Sequence, residues 1–380
     1  MNFKALDEFL EHLLDMGYPM YDCTVHVNRE EVYRRQGGYI DVAAKRRHIP
    51  DTKYFLYSVS KPVTCAAALT LFEKGKFLLS DPVSMYLPEF ADVQVAERLP
   101  DGRTFLRPAK RPIRIVHLFT MTAGLNYNLG SDAIREAVAA TDGRAPTREI
   151  VRAISKEPLS FDPGDRWQYS LCHDVLAGLV EVIAGERFSD YVKRVIFDPL
   201  GMKNSGYRIP EGDAASQMAT QYVFEDNFTK LSLFPSNGYI LGPEYDSGGA
   251  GMISTAEDYI RFADMMSCGG TASDGTPILA QTTIDLMRTN FLTDAQLASF
   301  NWQQMAGYGY GLGVRTMIDR AQGGSLSPLG EFGWGGAAGA LAYFDPSTKT
   351  AIYLAQHTRN PREEYVLPRL RNVVYASLGR

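Results

Sequence analysis

The chain has 380 residues, of which 45% are hydrophobic and 22% charged, and it carries a formal net charge of -5. This length and composition predict one or two compact units with a substantial core. The negative charge argues against nucleic acid or an anionic membrane surface as the main partner, because both require concentrated positive charge. We therefore expect a small molecule as the partner.

The N-terminal segment has Asp7 and Glu8 where a signal peptide would have a continuous apolar stretch. The sequence contains no run of about eighteen apolar residues, so a membrane-spanning helix is not expected. The four cysteines are far apart and form no C-x-x-C pair, which argues against a zinc knuckle and against a disulfide framework. Scattered thiols are typical of a reducing compartment, and together these features predict a cytoplasmic protein.

Apolar residues at three- and four-residue spacing over 3–16 predict an amphipathic helix at the start of the chain, and 365–378 shows the same pattern at its end. Strand-like stretches occur near both ends. They lie at 21–28, 31–35, 308–317, 338–344 and 350–356. The middle of the chain, roughly 63–200, is mainly helical in pattern, with candidate helices at 63–74, 132–140, 147–154 and 173–196.

This order of elements predicts a mixed α/β (α+β) fold, in which an antiparallel sheet flanked by helices is built from both chain ends. Short turns between neighbouring strands favour the antiparallel arrangement. A mainly helical subdomain is inserted between the two halves of the sheet. We expect a single catalytic domain over 1–380, with a sheet subdomain at approximately 1–75 and 250–380 and a helical subdomain at approximately 76–249.

Ser58 and Lys61 form an S-x-x-K motif at the start of the apolar helix predicted over 63–74. Residues three apart lie on the same face of a helix, so the lysine amine can reach the serine hydroxyl. A serine hydroxyl needs such a neighbouring base to become a nucleophile. The motif alone is also compatible with an N-cap serine followed by a solvated lysine.

Tyr169 follows an Asp-Pro-Gly turn at 162–164 and precedes the helix predicted over 173–196. A nearby ammonium group would lower the pKa of such a tyrosine and let it act as a general base. A further segment, 332–340, is rich in glycine and leads into a strand. Its small residues would let a substrate approach a strand edge, where a main-chain N–H can stabilise an oxyanion.

In this order, S-x-x-K at 58–61, Tyr-Ser at 169–170 and Trp-Gly-Gly at 334–336 resemble the motifs of serine hydrolases related to class C β-lactamases, particularly the family VIII carboxylesterases. The stretches 117–125, 199–203 and 249–258 are also similar to segments of that family. The resemblance spans roughly 20–357.

The resemblance implies that Ser58 attacks an acyl carbonyl, that Lys61 and Tyr169 move protons, and that the N–H groups of Ser58 and Ala337 form the oxyanion hole. It also implies a penicillin-recognising fold, which agrees with the pattern of elements. We expect no metal or organic cofactor. The G-x-S-x-G elbow of α/β-hydrolase esterases does not occur in the sequence.

The chain departs from the family pattern at two places. Leu171 replaces an asparagine and cannot form hydrogen bonds through its side chain, so the positioning of Lys61 is expected to differ. Trp334, Gly335 and Gly336 replace the K-T-G element and lack the cation and hydroxyl that would hold a drug carboxylate. These four residues and His173 are our candidate substrate-binding residues, the histidine because it lies four residues beyond Tyr169; a purely structural role for it stays open.

Hydrolysis of a small-molecule carboxylic ester is the leading hypothesis, with weak activity at best towards β-lactams. An amidase, a D-aminopeptidase-like hydrolase or an acyltransferase would use the same acyl-enzyme. A non-catalytic binding or sensor protein of the same fold is the alternative from a different class.

Overall fold

Seven antiparallel strands drawn from the two ends of the chain form the central sheet. The computed structural model describes residues 1–99, 101–225 and 228–379. Its strands are β1 (Met20–Val27), β2 (Glu30–Gly38), β3 (Tyr54–Phe55), β4 (Gln94–Arg98), β5 (Thr104–Pro108), β6 (Tyr222–Glu225), β7 (Lys230–Leu233), β8 (Ile253–Ser254), β9 (Tyr308–Tyr310), β10 (Arg315–Met317), β11 (Phe332–Gly335), β12 (Leu341–Asp345), β13 (Thr350–Ala355) and β14 (Thr358–Arg359).

The sheet runs in the order β2-β1-β13-β12-β11-β10-β9. Strand β1 pairs with β13, so the N-terminal hairpin lies beside the C-terminal strands, and this confirms the predicted sheet built from both ends of the chain. The centre of the sheet is apolar on both faces, since every residue of β12 and β13 is buried. Such strands are typical of a sheet covered by helices on both sides.

The helices are α1 (Lys4–Asp15), α2 (Ser60–Glu73), α3 (Ile115–Phe119), α4 (Asp132–Ala140), α5 (Thr147–Ile154), α6 (Cys172–Ala184), α7 (Phe188–Val192), α8 (Asp198–Leu200), α9 (Ala256–Ser267), α10 (Gln281–Met287), α11 (Asp294–Leu297), α12 (Arg320–Gly323) and α13 (Glu363–Leu378). A π-helical stretch, Lys193–Phe197, joins α7 to α8. Helix α9 packs on β1, β12 and β13, and α1 packs on α13.

Helix α2 connects the two parts of the molecule. It contacts α6 and α7 of the helical part and also β11 of the sheet, and all of its residues from Ser60 to Leu71 are buried. A helix that is apolar around its whole circumference belongs inside a protein. Residues at its first turn therefore lie where the sheet meets the helical part.

Three features differ from the sequence prediction. The stretch 308–317 is two strands, β9 and β10, because the intervening segment contains Gly311 and Gly313 and turns the chain back on itself. The mainly helical middle also contains an antiparallel hairpin, β4 and β5, which lies far from the large sheet in sequence. The predicted helix over 173–196 is interrupted at Gly185, which ends α6 in a left-handed conformation. The proposed subdomain boundaries stay a prediction.

Within the described residues, the structure has no helix that is both long and apolar enough to cross a membrane.

Candidate active site

A strained turn presents Ser58 at the start of α2. Strand β3 pairs with β8, and a 3-10 turn over Tyr57–Val59 then leads into the helix. Tyr57 has a positive φ of 50°, which is uncommon for a non-glycine residue and is held here by a buried ring and a hydrogen bond from its hydroxyl to Gln221 (2.8 Å). Ser58 is 8% exposed, so its hydroxyl lies at the edge of the buried region.

Lys61 lies one helical turn beyond Ser58 and its side chain is completely buried. Its Nζ is 3.2 Å from Ser58 Oγ, as the three-residue spacing predicts, and donates a hydrogen bond to the Gly249 carbonyl (2.7 Å). Burial lowers the pKa of Lys61 to about 8, because a charged amine is poorly solvated there. At pH 7 about a tenth of the amine is therefore neutral and able to accept a proton.

Asp174 is the nearest compensating charge for the buried amine, and its negative charge raises the pKa of Lys61. Its Oδ1 accepts hydrogen bonds from the Tyr245 hydroxyl (2.7 Å), the Ser247 hydroxyl (2.6 Å) and the Gly249 N–H (3.4 Å). The carboxylate thus holds the backbone segment whose carbonyl accepts from Lys61. A side chain at Gly249 would crowd both Asp174 and Lys61, which explains the glycine.

Tyr169 approaches Ser58 from the opposite side to α2. Its hydroxyl donates to Ser58 Oγ (2.5 Å) and accepts from the indole N–H of Trp334 (3.4 Å). Burial raises the pKa of Tyr169 above its usual value, so the expected lowering by a nearby ammonium group is wrong. The loss of solvation outweighs the two hydrogen bonds that favour phenolate. Tyr169 is therefore a neutral phenol that can relay or donate a proton.

Aromatic side chains surround the hydroxyl groups of Ser58 and Tyr169 and the amine of Lys61. The ring of Tyr169 lies between those of Tyr127 and Trp334, at centroid distances of 5.3 and 5.8 Å, and Trp302 packs against it edge-on at 5.3 Å. The Lys61 Nζ lies 4.5 Å from the centre of the Tyr169 ring. Such stacking excludes water and strengthens the polar contacts that the rings surround.

Tyr127 supplies the polar group that Leu171 lacks. Its hydroxyl lies 3.5 Å from Lys61 Nζ, whereas the Leu171 side chain is buried and apolar at the start of α6. The Leu171 N–H donates to the Asn126 carbonyl (3.0 Å), which holds the neighbouring tyrosine in place. Sequence reasoning missed Tyr127, although it follows the recognised 117–125 segment by two residues. The Leu171 side chain is 2% exposed, and its contact with substrate stays a prediction.

His173 is wrongly predicted to lie at the rim of the site. It is completely buried inside α6, and its Nε2 lies 3.2 Å from the Phe119 carbonyl and 3.6 Å from Cys65 Sγ. Burial, together with the nearby charge of Lys61, lowers its pKa to about 3. One turn of helix carries the side chain into the core rather than towards the cleft, and the histidine is a neutral packing residue.

Strand β11 brings Trp334 and Gly335 to the turn that holds Ser58, and Gly336 directly follows the strand. A side chain at Gly336 would overlap the Leu56 carbonyl, so only glycine lets this edge approach the serine turn. Ala337 follows and is partly exposed, and its N–H donates to no other protein atom in the described part of the chain. Among all the residues that the structure describes, no group of His, Cys, Asp and Glu is arranged to hold a metal ion.

Comparisons with known proteins identify the family of the chain. The sequence profile described as Beta-lactamase matches residues 13–376. The chain belongs to the beta-lactamase family. The resemblance identified from the ordered motifs is thereby confirmed, and the antiparallel sheet with its flanking helices is the fold of this family.

Three proteins that are similar to this chain carry different names and descriptions. Protein Rv1367c of Mycobacterium tuberculosis is 32% identical, over 94% of this chain and 90% of the relative. Esterase EstB of Burkholderia gladioli is 30% identical, over 87% of this chain and 83% of the relative. The solved structure of EstCE1, described as a hydrolase with promiscuous acyltransferase activity, superimposes with a TM-score of 0.79 at 25% identity and covers 98% of each chain.

Replacing Asp174 by asparagine should lower the pKa of Lys61 further. The amide keeps an oxygen that accepts the surrounding hydrogen bonds but removes the negative charge that favours the ammonium form. The measurement is an NMR titration of ¹³Cε-labelled lysine, with the Lys61 signal assigned by its absence in Lys61→Arg. Asp258→Asn, which changes a buried carboxylate elsewhere, is the control and should leave the titration unchanged. An unchanged Lys61 midpoint in Asp174→Asn would contradict the assigned role.

Proposed function

We propose that the protein is a serine hydrolase that cleaves carboxylic esters of small molecules through an acyl-enzyme, with Ser58 as its nucleophile. One observation carries this proposal: Ser58 Oγ forms hydrogen bonds with both Lys61 Nζ (3.2 Å) and the Tyr169 hydroxyl (2.5 Å). A hydroxyl held between a proton acceptor and a proton relay is the arrangement that nucleophilic catalysis requires. The similarity to Esterase EstB supports an ester as the substrate.

In the first half of the reaction, neutral Lys61 accepts the Ser58 proton as Oγ bonds to the acyl carbon. The N–H groups of Ser58 and Ala337 stabilise the oxyanion that forms. The proton then passes through the Tyr169 hydroxyl to the leaving alcohol as its bond to the acyl carbon breaks. In the second half, water gives a proton to the same relay as its oxygen bonds to the acyl carbon. The bond between that carbon and Ser58 Oγ then breaks, and Oγ takes the proton from the relay. The sum is ester plus water to acid plus alcohol.

Acyl transfer is the second candidate, because the EstCE1 structure is described as a hydrolase with promiscuous acyltransferase activity. An alcohol would then replace water in the second half of the reaction. The aromatic side chains around Tyr169, including the partly exposed Trp302, offer apolar surface for such an acceptor. Product analysis with a vinyl ester and benzyl alcohol separates the two: benzyl ester supports transfer, and free acid alone supports hydrolysis. An amidase would instead turn over D-amino-acid amides.

A cytoplasmic location belongs to the same proposal. It is supported by the four cysteines, all of which are free thiols.

Ser58→Ala should abolish turnover of p-nitrophenyl esters and labelling by a fluorophosphonate probe. The hydroxyl forms the covalent bond but contributes little packing, so the melting temperature should stay close to that of the wild type. Ser80→Ala, at an exposed position, is the matched control and should keep full activity. Normal turnover in a folded Ser58→Ala protein would sink the mechanism, and absence of labelling in the wild type would favour a binding or sensor protein.

Lys61→Ala and Tyr169→Phe should each lower kcat by a factor on the order of 10²–10⁴, the usual contribution of general acid and base groups. Tyr127→Phe is the comparison variant, since it removes only a hydroxyl 3.5 Å from Lys61 and keeps the stacked ring. Its loss should be smaller than that of either relay residue. Steady-state kinetics with p-nitrophenyl butyrate measure all three, and a wild-type rate in Tyr169→Phe would remove that residue from the mechanism.

Short-chain esters should be turned over far better than penicillins or cephalosporins. A β-lactam drug carries a carboxylate, and removing it from water without a partner costs several kcal/mol, of which each 1.4 kcal/mol is tenfold in binding. Trp334, Gly335 and Gly336 offer no cation. The test compares kcat/KM for p-nitrophenyl acetate and a chromogenic cephalosporin, and an equal or higher value for the cephalosporin would make the protein a β-lactamase instead.

A further inference from the structure

A carboxylate from the far end of the chain lies against the strand that borders Ser58. Glu363 is the first residue of α13, and a Cβ placed on Gly335 would overlap its Oε1. Gly335 directly follows Trp334, whose indole N–H bonds the Tyr169 hydroxyl. Glu363 is also close enough to Tyr169 for its charge to raise the pKa of that phenol. The absence of a side chain at Gly335 therefore makes room for an acidic group beside the proposed site.

Glu363 borders a cavity of about 560 Å³, which is large enough for a substituted aromatic ring. The cavity is lined by Val223, Phe224, Glu225, Phe228, Gln304, Asn360, Pro361, Arg362, Glu363 and Glu364. Its apolar wall is formed by Phe224 and Phe228. An open space with an aromatic wall and a carboxylate at the Gly335 side is suited to an amphipathic group.

The other charged groups around this cavity already interact with a protein partner or are exposed to solvent. Glu225 pairs with Lys230 (2.8 Å), and the Arg362 guanidinium lies over the Phe228 ring (4.8 Å). Glu364 is exposed. Two further groups interact electrostatically with the Glu363 carboxylate, namely Arg315 on β10 and Tyr169. The charged residues that line the cavity with it are Glu225, Arg362 and Glu364.

Glu363 differs from these groups because it is turned inwards and its hydrogen-bond partner, Gln304, is uncharged, while the buried Arg315 acts on it only through its field. Over residues 1–99, 101–225 and 228–379 it takes part in no ion pair, and burial raises its pKa to about 7. An acidic residue at a helix N-terminus is stabilising, but the exposed neighbour Glu364 already supplies that charge in the first turn. A partly buried carboxylate facing a cavity costs free energy that a positively charged ligand would offset.

The side of the ester that reaches this cavity follows from the proposed proton relay. Tyr169 gives its proton to the leaving oxygen, so the alcohol part of the substrate lies next to the Tyr169 hydroxyl. Trp334 and Gly335 continue from that point towards Glu363. The acyl part is bonded to Ser58 and directed by the N–H groups of Ser58 and Ala337.

We infer that Glu363 and its cavity form the subsite for the alcohol part of the substrate and select alcohols that carry a positive charge. This inference rests on the proposed ester hydrolysis. The positively charged group lies against the Glu363 carboxylate, and its hydrocarbon part lies against the aromatic wall. An anionic alcohol is disfavoured by the same carboxylate.

The test uses three acetate esters that differ only in charge: 3-(trimethylammonio)phenyl, 3-tert-butylphenyl and 3-carboxyphenyl acetate. At pH 8.5 Glu363 is ionised, and the wild type should favour the cationic ester over its neutral analogue by about tenfold or more in kcat/KM. Glu363→Gln should bring this ratio close to one and raise kcat/KM for the anionic ester. Glu363→Asp keeps the charge and should keep most of the preference.

Glu364→Gln is the matched control, because it removes the same charge from the next residue of α13, where water screens it. Its cationic preference should stay within about twofold of the wild type. The neutral ester is the reference within each variant, so that any effect of a Glu363 substitution on Tyr169 cancels in the ratio of kcat/KM values. The melting temperature reports folding. Hydrolysis of the neutral ester with no cationic preference, or a preference that survives Glu363→Gln, would overturn the subsite and leave the proposed function intact. Failure of the wild type on all three esters would overturn both.

Discussion

The burial of the Lys61 amine is the constraint on which the rest of the site depends. A fully buried ammonium group is costly unless polar groups surround it, and here it has a hydroxyl, a backbone carbonyl and two aromatic ring faces. Asp174 adds a negative charge one layer away. Burial lowers the pKa of the amine and Asp174 raises it, so the balance between them leaves the amine near the point where it can both accept and return a proton.

The fold provides this environment because α2 passes between the sheet and the helical part. Its buried first turn carries Lys61, while β11 and the loop before α6 bring Trp334 and Tyr169 to the same point. The same loss of solvation that lowers the pKa of Lys61 raises that of Tyr169. One physical cause therefore leaves part of the amine unprotonated and available to accept a proton, and keeps the phenol protonated. The division of labour in the proposed relay follows from burial rather than from residue type.

Residues close in sequence were the most predictable parts of the site. The distance between Ser58 and Lys61 follows from one turn of helix, and the sheet from both ends follows from the periodicity of the strands. Tyr127, Asp174 and Glu363 could not be found in this way, because each reaches the site through a contact between segments far apart in the chain. Leu171 also shows that contacts between distant segments cannot be predicted from the sequence. The sequence shows that an asparagine is missing, but only the structure shows that a tyrosine from another loop lies near the amine.

The residues that replace the K-T-G element, Trp334 and Gly335, each depend on a contact with another part of the chain. Trp334 takes the position of the lysine, and its N–H bonds the Tyr169 oxygen, which leaves the phenolic hydrogen directed at Ser58. Gly335 takes the position of the threonine, and a side chain there would displace the Glu363 carboxylate from its present place. A carboxylate therefore lies beside the element that usually supplies a cation and a hydroxyl. Restoring lysine and threonine alone would remove the indole contact and leave the negative charge of Glu363 beside the element. A preference for drug carboxylates would therefore also require a change at Glu363, 27 residues beyond Gly336.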